Sequence, residues 1–192
     1  MKTQSDSRKY EGQCKFCKQD FSKRQILEHL DSCPKRKTVK NARNLRLRIT
    51  DPYMPNFWLM VEVDGQAKFK DLDDLIKKVW VECCGHLSSF GGYNNETDKG
   101  KIITETLNLG DMLDYVYDFG SSTELVIEVL AESIFPLSNG KKAELVARNY
   151  LPVSNCAKCG KQAEFVCAGC ADENGMAFAC GKCAQKYHNE DN

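Results

Sequence analysis

The chain has 192 residues, 42% of them hydrophobic, with 27 basic and 27 acidic side chains. That suits a soluble globular protein of one ordinary domain plus small modules, and no run of about 18 apolar residues exists to cross a membrane. Eleven Cys behind a polar start, Met1 to Tyr10, with no apolar signal core point to an intracellular, reducing setting and to metal binding.

The zero net charge hides a split. Residues 1–50 hold 14 Lys and Arg against 5 Asp and Glu, and residues 51–192 hold 13 against 22. A basic arm of this kind suits an acidic partner, nucleic acid first, or serves solubility alone.

Residues 1–11 are polar and without periodicity, so a disordered tail is expected. Residues 12–33 then carry Cys14-x2-Cys17-x11-His29-x3-Cys33. Cys14 and Cys17 form a knuckle. Ser22 can cap a helix that runs to about Asp31. His29 and Cys33, four apart, share one side of that helix and its end. Phe16, Phe21, Ile26 and Leu30 are left for a small core. The pattern resembles the short Cys-Cys-His-Cys zinc fingers, a family whose members bind nucleic acid in some proteins and protein partners in others.

Residues 34–43 carry Lys35, Arg36, Lys37, Lys40 and Arg43 and no acidic residue, and read as a basic linker. With Lys23 and Arg24 of the finger these are the candidate phosphate contacts. Base contacts would fall to Lys23, Arg24, Gln25 and Glu28 on the finger helix.

From residue 44 the period becomes two. Leu45, Leu47 and Ile49 mark one strand; Phe57, Leu59, Val61 and Val63 mark a second that ends at Asp64-Gly65. Leu72, Leu75, Ile76, Val79 and Trp80 predict an amphipathic helix over 70–82. His86 to Phe90 starts a strand, 91–101 is a loop, and Ile102 to Leu109 is strand or extended chain. Gly110 to Asp114 suits a helical turn, Tyr115 to Gly120 a strand ending in a turn, and Leu125 to Leu130 a strand. The result is an α+β domain over 44–135 with a β-grasp-like hairpin-then-helix layout. Residues 136–155, holding Pro136, Asn139-Gly140 and Pro152, read as a connector.

The order of these motifs, a Leu-Arg-Leu-Arg-Ile strand, a Trp-containing second strand, the Leu72–Trp80 helix, His86-Leu87 with Phe90, and Tyr115-x-Tyr117-Asp118-Phe119-Gly120, resembles the Ri-plasmid ORF-three-like family. Some of its members carry a transposon-passenger or resolvase label. The likeness covers about residues 44–132. Where the family continues with an Asp, a Trp and a His, this chain has Ser121-Ser122-Thr123-Glu124-Leu125.

Residues 156–192 read Cys156-x2-Cys159-x7-Cys167-x2-Cys170-x9-Cys180-x2-Cys183-x4-His188. Three Cys-x2-Cys knuckles and a His suit tetrahedral zinc; a disulfide scaffold would need an oxidising compartment. The order resembles a B-box or similar cross-brace module. That likeness implies one site from Cys156, Cys159, Cys180 and Cys183, and three-quarters of another from Cys167, Cys170 and His188. Asp172, Glu190 or Asp191 could complete the second. A zinc ribbon with one metal is the alternative. In all, two or three Zn2+ ions are expected.

For catalysis, His86 and Asp118 are the visible candidates in the middle domain, but an ordinary hydrogen-bonded His and a turn-capping Asp account for them. Adjacent Cys83 and Cys84 read as buried apolar thiols. Three ligands, Cys167, Cys170 and His188, would match a catalytic zinc with an open position. The expected activity is therefore binding: nucleic acid through the basic third, or protein partners through the acidic middle and the C-terminal module, with a zinc enzyme as the remaining alternative.

Overall fold

The computed structural model describes residues 11–38, 43–81, 85–93, 95–150, 154–167 and 177–187, and the chain divides into two units between Tyr150 and Leu151. In the first, eight strands form one sheet: β1 (Glu11–Cys14), β2 (Asp20–Ser22), β3 (Asn44–Thr50), β4 (Trp58–Val63), β5 (Ser88–Phe90), β6 (Met112–Tyr117), β7 (Thr123–Ser133) and β8 (Ala143–Asn149). Their order is β2-β1-β8-β4-β3-β7-β6-β5, with every neighbouring pair antiparallel. Among the described residues three α-helices accompany it, α1 (Gln25–Ser32), α2 (Phe69–Val79) and the single turn α3 (Ile103–Thr106), with a short 3-10 turn at Ser138–Gly140. The architecture is α+β, as the periodicity implies. The hairpin β3–β4 is followed by α2, but the β-grasp assignment is not carried further by a sheet in which all these pairings are antiparallel.

Strand β4 explains the layering. All six of its residues are buried, because alternate side chains leave opposite faces of the sheet and both faces are covered. Leu59, Val61 and Val63 join Leu45, Leu47, Ile49, Ile127 and Val129 under Phe69, Leu72 and Ile76 of α2. Each fully buried Leu or Ile there contributes about 1.5–3 kcal/mol of transfer free energy. Trp58 and Met60 point the other way and pack with Val146, Ile26 and Leu30 beneath the Cys14–Cys33 segment. Helix α2 starts where Asp71 returns its carboxylate to the Lys68 N–H at 2.8 Å, and Lys77 and Lys78 complement its last turn.

Residues 12–33 do not stand apart from this sheet. Strand β1 pairs with β8 through Gly12–Asn149, Gln13–Arg148 and Cys14–Ala147. Gly12 is required: a Cβ there would collide with the Arg148 carbonyl and the Trp58 ring. Ala143–Asn149, expected within a connector, is thus an interior strand with β4 on one side and β1 on the other. Two further expectations are corrected. Gly110–Asp114 is no helical turn; the chain is already extended from Met112, where β6 pairs with β7. Ile102–Leu109 is not a strand; Ile103 is buried against the α2 core and the chain makes one helical turn there.

The second unit holds the hairpin β9 (Phe165–Cys167) and β10 (Ala177–Ala179), in register Ala179–Phe165, followed by α4 (Gly181–Tyr187). No helix of the described residues is long and apolar enough to cross a membrane.

Candidate metal centres

Cys14 ends β1, and the chain turns at once. Lys18 N–H donates to the Cys14 carbonyl at 3.0 Å, and Cys14 N–H donates to the Gln19 carbonyl at 3.0 Å. Lys18 closes the knuckle with a positive φ of 63°. Ser22 and Gln25 exchange hydrogen bonds before the helix, Gln25 N–H to Ser22 Oγ at 3.3 Å and Ser22 Oγ to Gln25 Oε1 at 2.7 Å. Ser22 therefore closes the turn that leads into α1, while the helix itself begins at Gln25, with Arg24 at its N-cap and no side-chain cap. His29 lies in the last turn of α1, and Cys33 follows its end.

This folding brings Cys14, Cys17, His29 and Cys33 together, with their four ligand atoms all within 4.8 Å of one another. Cys14 Sγ is 4.0 Å from Cys33 Sγ, and Cys17 Sγ is 3.2 Å from His29 Nε2. Sulfurs 2.3 Å from a tetrahedral zinc lie about 3.8 Å apart, so the four donors stand close to the spacing that the ion requires. The His29 ring is held by Phe21, stacked at 4.0 Å. Burial pushes the Cys14 thiol up to about 11, and burial, then Arg36, holds His29 below the ordinary imidazole value. A neutral imidazole is already the ligand form, whereas the thiol must lose its proton. A divalent cation supplies that drive.

The second cluster is built from two knuckles. Gly160 N–H donates to the Cys156 carbonyl at 2.9 Å, and Cys156 N–H to the Lys161 carbonyl at 2.6 Å. Gly160 takes a φ of 69°, which a side chain disfavours. Cys180 follows β10, and Ala184 N–H donates to its carbonyl at 2.8 Å, setting Cys183 in the first turn of α4. The ligand atoms of Cys156, Cys159, Cys180 and Cys183 again lie within 4.8 Å of one another, with Cys159 and Cys180 Sγ 3.5 Å apart. This is the union of first and third pairs that the cross-brace resemblance implies. Main-chain N–H donation, from Cys180 first, lowers the Cys156 thiol to about 6, while burial, then the neighbouring thiols, pushes Cys183 up to about 12.

None of the seven cysteines whose side chains are described is in a disulfide. Cys167 lies in β9, but its side chain, and Cys170 and His188, fall outside the described residues. The same holds for Asp172, Glu190 and Asp191, for Cys83 and Cys84, and for Lys40 of the linker.

Of the candidate phosphate contacts, Arg24, Lys35, Lys37 and Arg43 are exposed. Lys23 instead donates to the Pro55 carbonyl at 3.0 Å. Arg36 is removed from the set. Its guanidinium grips both carboxylate oxygens of Glu62 and the Leu30 carbonyl, and lies over the rings of Phe16 and Phe135 at 4.7 and 3.9 Å. Glu62 also accepts from Arg46 at 2.9 and 3.0 Å and from Ser133 Oγ at 2.9 Å, and Arg46 reaches on to Asp31 at 2.9 Å. Lys15 of the knuckle pairs with buried Glu144 of β8. These ion pairs fasten the first cluster to the sheet. Sequence reasoning missed them because Arg46 and Glu62 alternate with apolar residues, which ordinarily marks a solvated face. The buried Trp58 beside them was the available signal that this face is covered.

His86 Nδ1 stands 3.7 Å from Asp118 Oδ1, and Asp118 accepts the Gly120 N–H at 3.0 Å with a φ of 56°. Asp118 thus caps its turn. A second highly connected buried carboxylate, Asp73, went unnoticed in the sequence. It accepts Ser88 Oγ at 2.6 Å, Tyr115 OH at 2.9 Å, Lys99 at 3.0 Å and Lys77 at 3.1 Å. It lies on the buried face of α2 and ties that helix to β5 and β6.

No protein-family model matches the chain, and no curated protein matches it. Among solved structures the chain is similar to a protein of unknown function, MM3350 from Methanosarcina mazei Go1, at 15% identity and a TM-score of 0.47, over 56% of this chain and 69% of that one.

Proposed function

We propose that the chain is a zinc-stabilised binding protein without catalytic activity of its own. The observation that carries this reading is the count of donors. Each of the two described clusters offers four protein ligands, which close a tetrahedron and leave no position for water or substrate. Three sulfurs with one nitrogen, and four sulfurs, are donor sets that suit zinc among divalent ions. Native mass spectrometry of the full chain tests it: two ions are expected on Cys14, Cys17, His29, Cys33 and on Cys156, Cys159, Cys180, Cys183, with a third if Cys167, Cys170 and His188 also bind. A metal-free chain overturns the reading. For residues 44–132 the resemblance to the ORF-three-like family, with its β-grasp-like layout, remains our reading, supported by the hairpin and helix that follow one another there.

Protein is the partner we favour. Arg36 is committed to Glu62 and Lys23 to a carbonyl, and the exposed positions of α1 mix Glu28 and Asp31 with Gln25. Contact with nucleic acid is the second reading, supported by exposed Arg24, Lys35, Lys37 and Arg43 within the basic third. A gel shift at two salt concentrations separates them. Phosphate contact by four cations gives a slope of about −3 to −4 in log affinity against log salt; the protein-partner reading gives no shift at low salt.

A further inference from the structure

Three loops of the first unit carry exposed aromatic rings: Tyr53 from the segment after β3, Tyr93 after β5, and Phe119 between β6 and β7, with Tyr53 and Tyr93 reaching Glu124 and Ser122, two residues apart. The three aromatic residues are 79%, 58% and 48% exposed. Tyr93 and Phe119 stand 5.8 Å apart with their planes tilted by 53°. The two tyrosines are held at their hydroxyls. Tyr93 OH is 2.7 Å from Ser122 Oγ, and Tyr53 OH donates to Glu124 Oε2 at 3.1 Å. Anchored rings lose little freedom on contact, which is the property of aromatic anchors in protein interfaces.

The rings stand among three carboxylates, with Lys23, at the Pro55 carbonyl, the cation described beside the Tyr53 loop. Asp51 accepts the N–H groups of Tyr53 and Met54 at 2.8 and 2.9 Å, Glu124 holds Tyr53, and Asp118 directly precedes Phe119. Among the described residues, none of these three carboxylates is paired with a Lys or Arg; Asp118 has only His86 near it, at 3.7 Å. Elsewhere in the same unit Glu62, Asp64 and Asp73 each hold a cation. A ring face attracts a cation through its quadrupole, and neighbouring carboxylates add to that field.

We propose that Tyr53, Tyr93 and Phe119, with Asp51, Asp118 and Glu124, form a docking surface for a basic peptide segment of a partner protein, whose Arg or Lys side chain lies against the rings. This rests on the reading of the chain as a binding protein. The probes are three labelled peptides of equal length, alternating Gly with Arg, with Lys or with Gln, titrated into the zinc-loaded full chain and followed by amide NMR and fluorescence anisotropy. The Arg and Lys peptides are expected to shift the amides of the three loops, more weakly as salt rises, and the Gln peptide to leave them still. Phe119→Ala and Tyr93→Ala remove exposed rings and keep the fold, checked by an unchanged amide spectrum elsewhere. Each is expected to weaken binding about 2- to 30-fold, the range of a cation–π contact. Binding of the Gln peptide as tightly as the Arg peptide overturns the proposal. So does unchanged affinity in both Ala variants, the absence of any shift, or a concentration-dependent shift of the same amides without peptide, which would make a second copy of the chain the occupant. The zinc count of the same sample keeps the two readings apart: full zinc without peptide binding removes the docking surface alone, and missing zinc removes the metal centres.

Discussion

Arg36 and Glu62 meet as a two-pronged ion pair with both side chains almost wholly inside the protein. Arg36 belongs to the segment just past the last ligand of the first metal cluster, and Glu62 to β4, a strand buried along its whole length. The pair, extended by Arg46 to Asp31 on α1, makes the position of His29 and Cys33 a property of the sheet.

Breaking that pair is expected to cost more than a surface ion pair. Glu62→Ala leaves two buried guanidinium groups, Arg36 and Arg46, without the carboxylate they share, so that Arg36 keeps the Leu30 carbonyl and Arg46 keeps Asp31. Loss of one partner of a buried pair costs about 3–5 kcal/mol, and urea unfolding followed by circular dichroism should show it. Lys35→Ala, next to Arg36 but exposed, should change stability by less than about 0.5 kcal/mol.

Removal of the first metal should reach well beyond residues 12–33. Cys14→Ser is expected to lose one zinc ion by native mass spectrometry and to speed amide exchange in β8 and β4, because β1 shares hydrogen bonds with β8. Cys156→Ser should lose one ion and unfold the second unit, whose ordering depends on metal binding as in other short modules. Unchanged exchange at Val146 and Ala147 in the Cys14 variant would mean that the sheet holds β1 without metal.

Gly12→Ala tests the close approach of β1 to Trp58. The added methyl group would strike a carbonyl and an indole ring, and overpacking of this kind costs about 1–3 kcal/mol. The expected signature is a lower midpoint of unfolding together with a changed Trp58 fluorescence.

Asp73 should make stability depend on acid. Burial acts to raise its pKa, but hydrogen bonds from Ser88, Lys99, Tyr115 and Lys77 outweigh it and hold the carboxyl below the usual range. A folded-state value below the unfolded one contributes stability that is full above about pH 4 and is lost as the pH falls through the folded value. Asp73→Asn should therefore be less stable than the parent at neutral pH by about 3 kcal/mol, and the difference should shrink in acid. A gap that stays constant down to pH 3 would count against the charge of Asp73 as its source.

What could be read from the sequence follows from how local each signal is. Cys14, Cys17, His29 and Cys33 announce themselves because a metal imposes short, fixed spacings on its ligands, and Cys156 with Cys183 does so through repeated knuckles. Leu45, Leu47 and Ile49, and then Leu72 and Ile76, give strand and helix because one face of each is apolar. The docking of the finger was not legible, because it depends on residues far apart in the chain. Ala143–Asn149 lies between Pro136 and Pro152 and reads as a connector until β1 and β4 are seen on its two sides. Arg36 reads as one more cation of a basic run, since nothing in that run marks Glu62, 26 residues on, as its acceptor. Tyr53, Tyr93 and Phe119 come from three separate loops, so no spacing in the sequence relates them.

The two outermost strands of the sheet, β2 and β5, have three residues each. Edges this short offer little template to another chain, which is how natural sheets avoid pairing with one another. That protection depends on the metal. If β1 and β2 leave with it, the next strand is β8, seven residues long, with its outer row of main-chain groups open and Val146 and Ala147 uncovered on one face. Chelation should thus yield a sticky sheet before an unfolded chain, and the metal-stripped protein is expected to self-associate at concentrations where the loaded protein stays in solution.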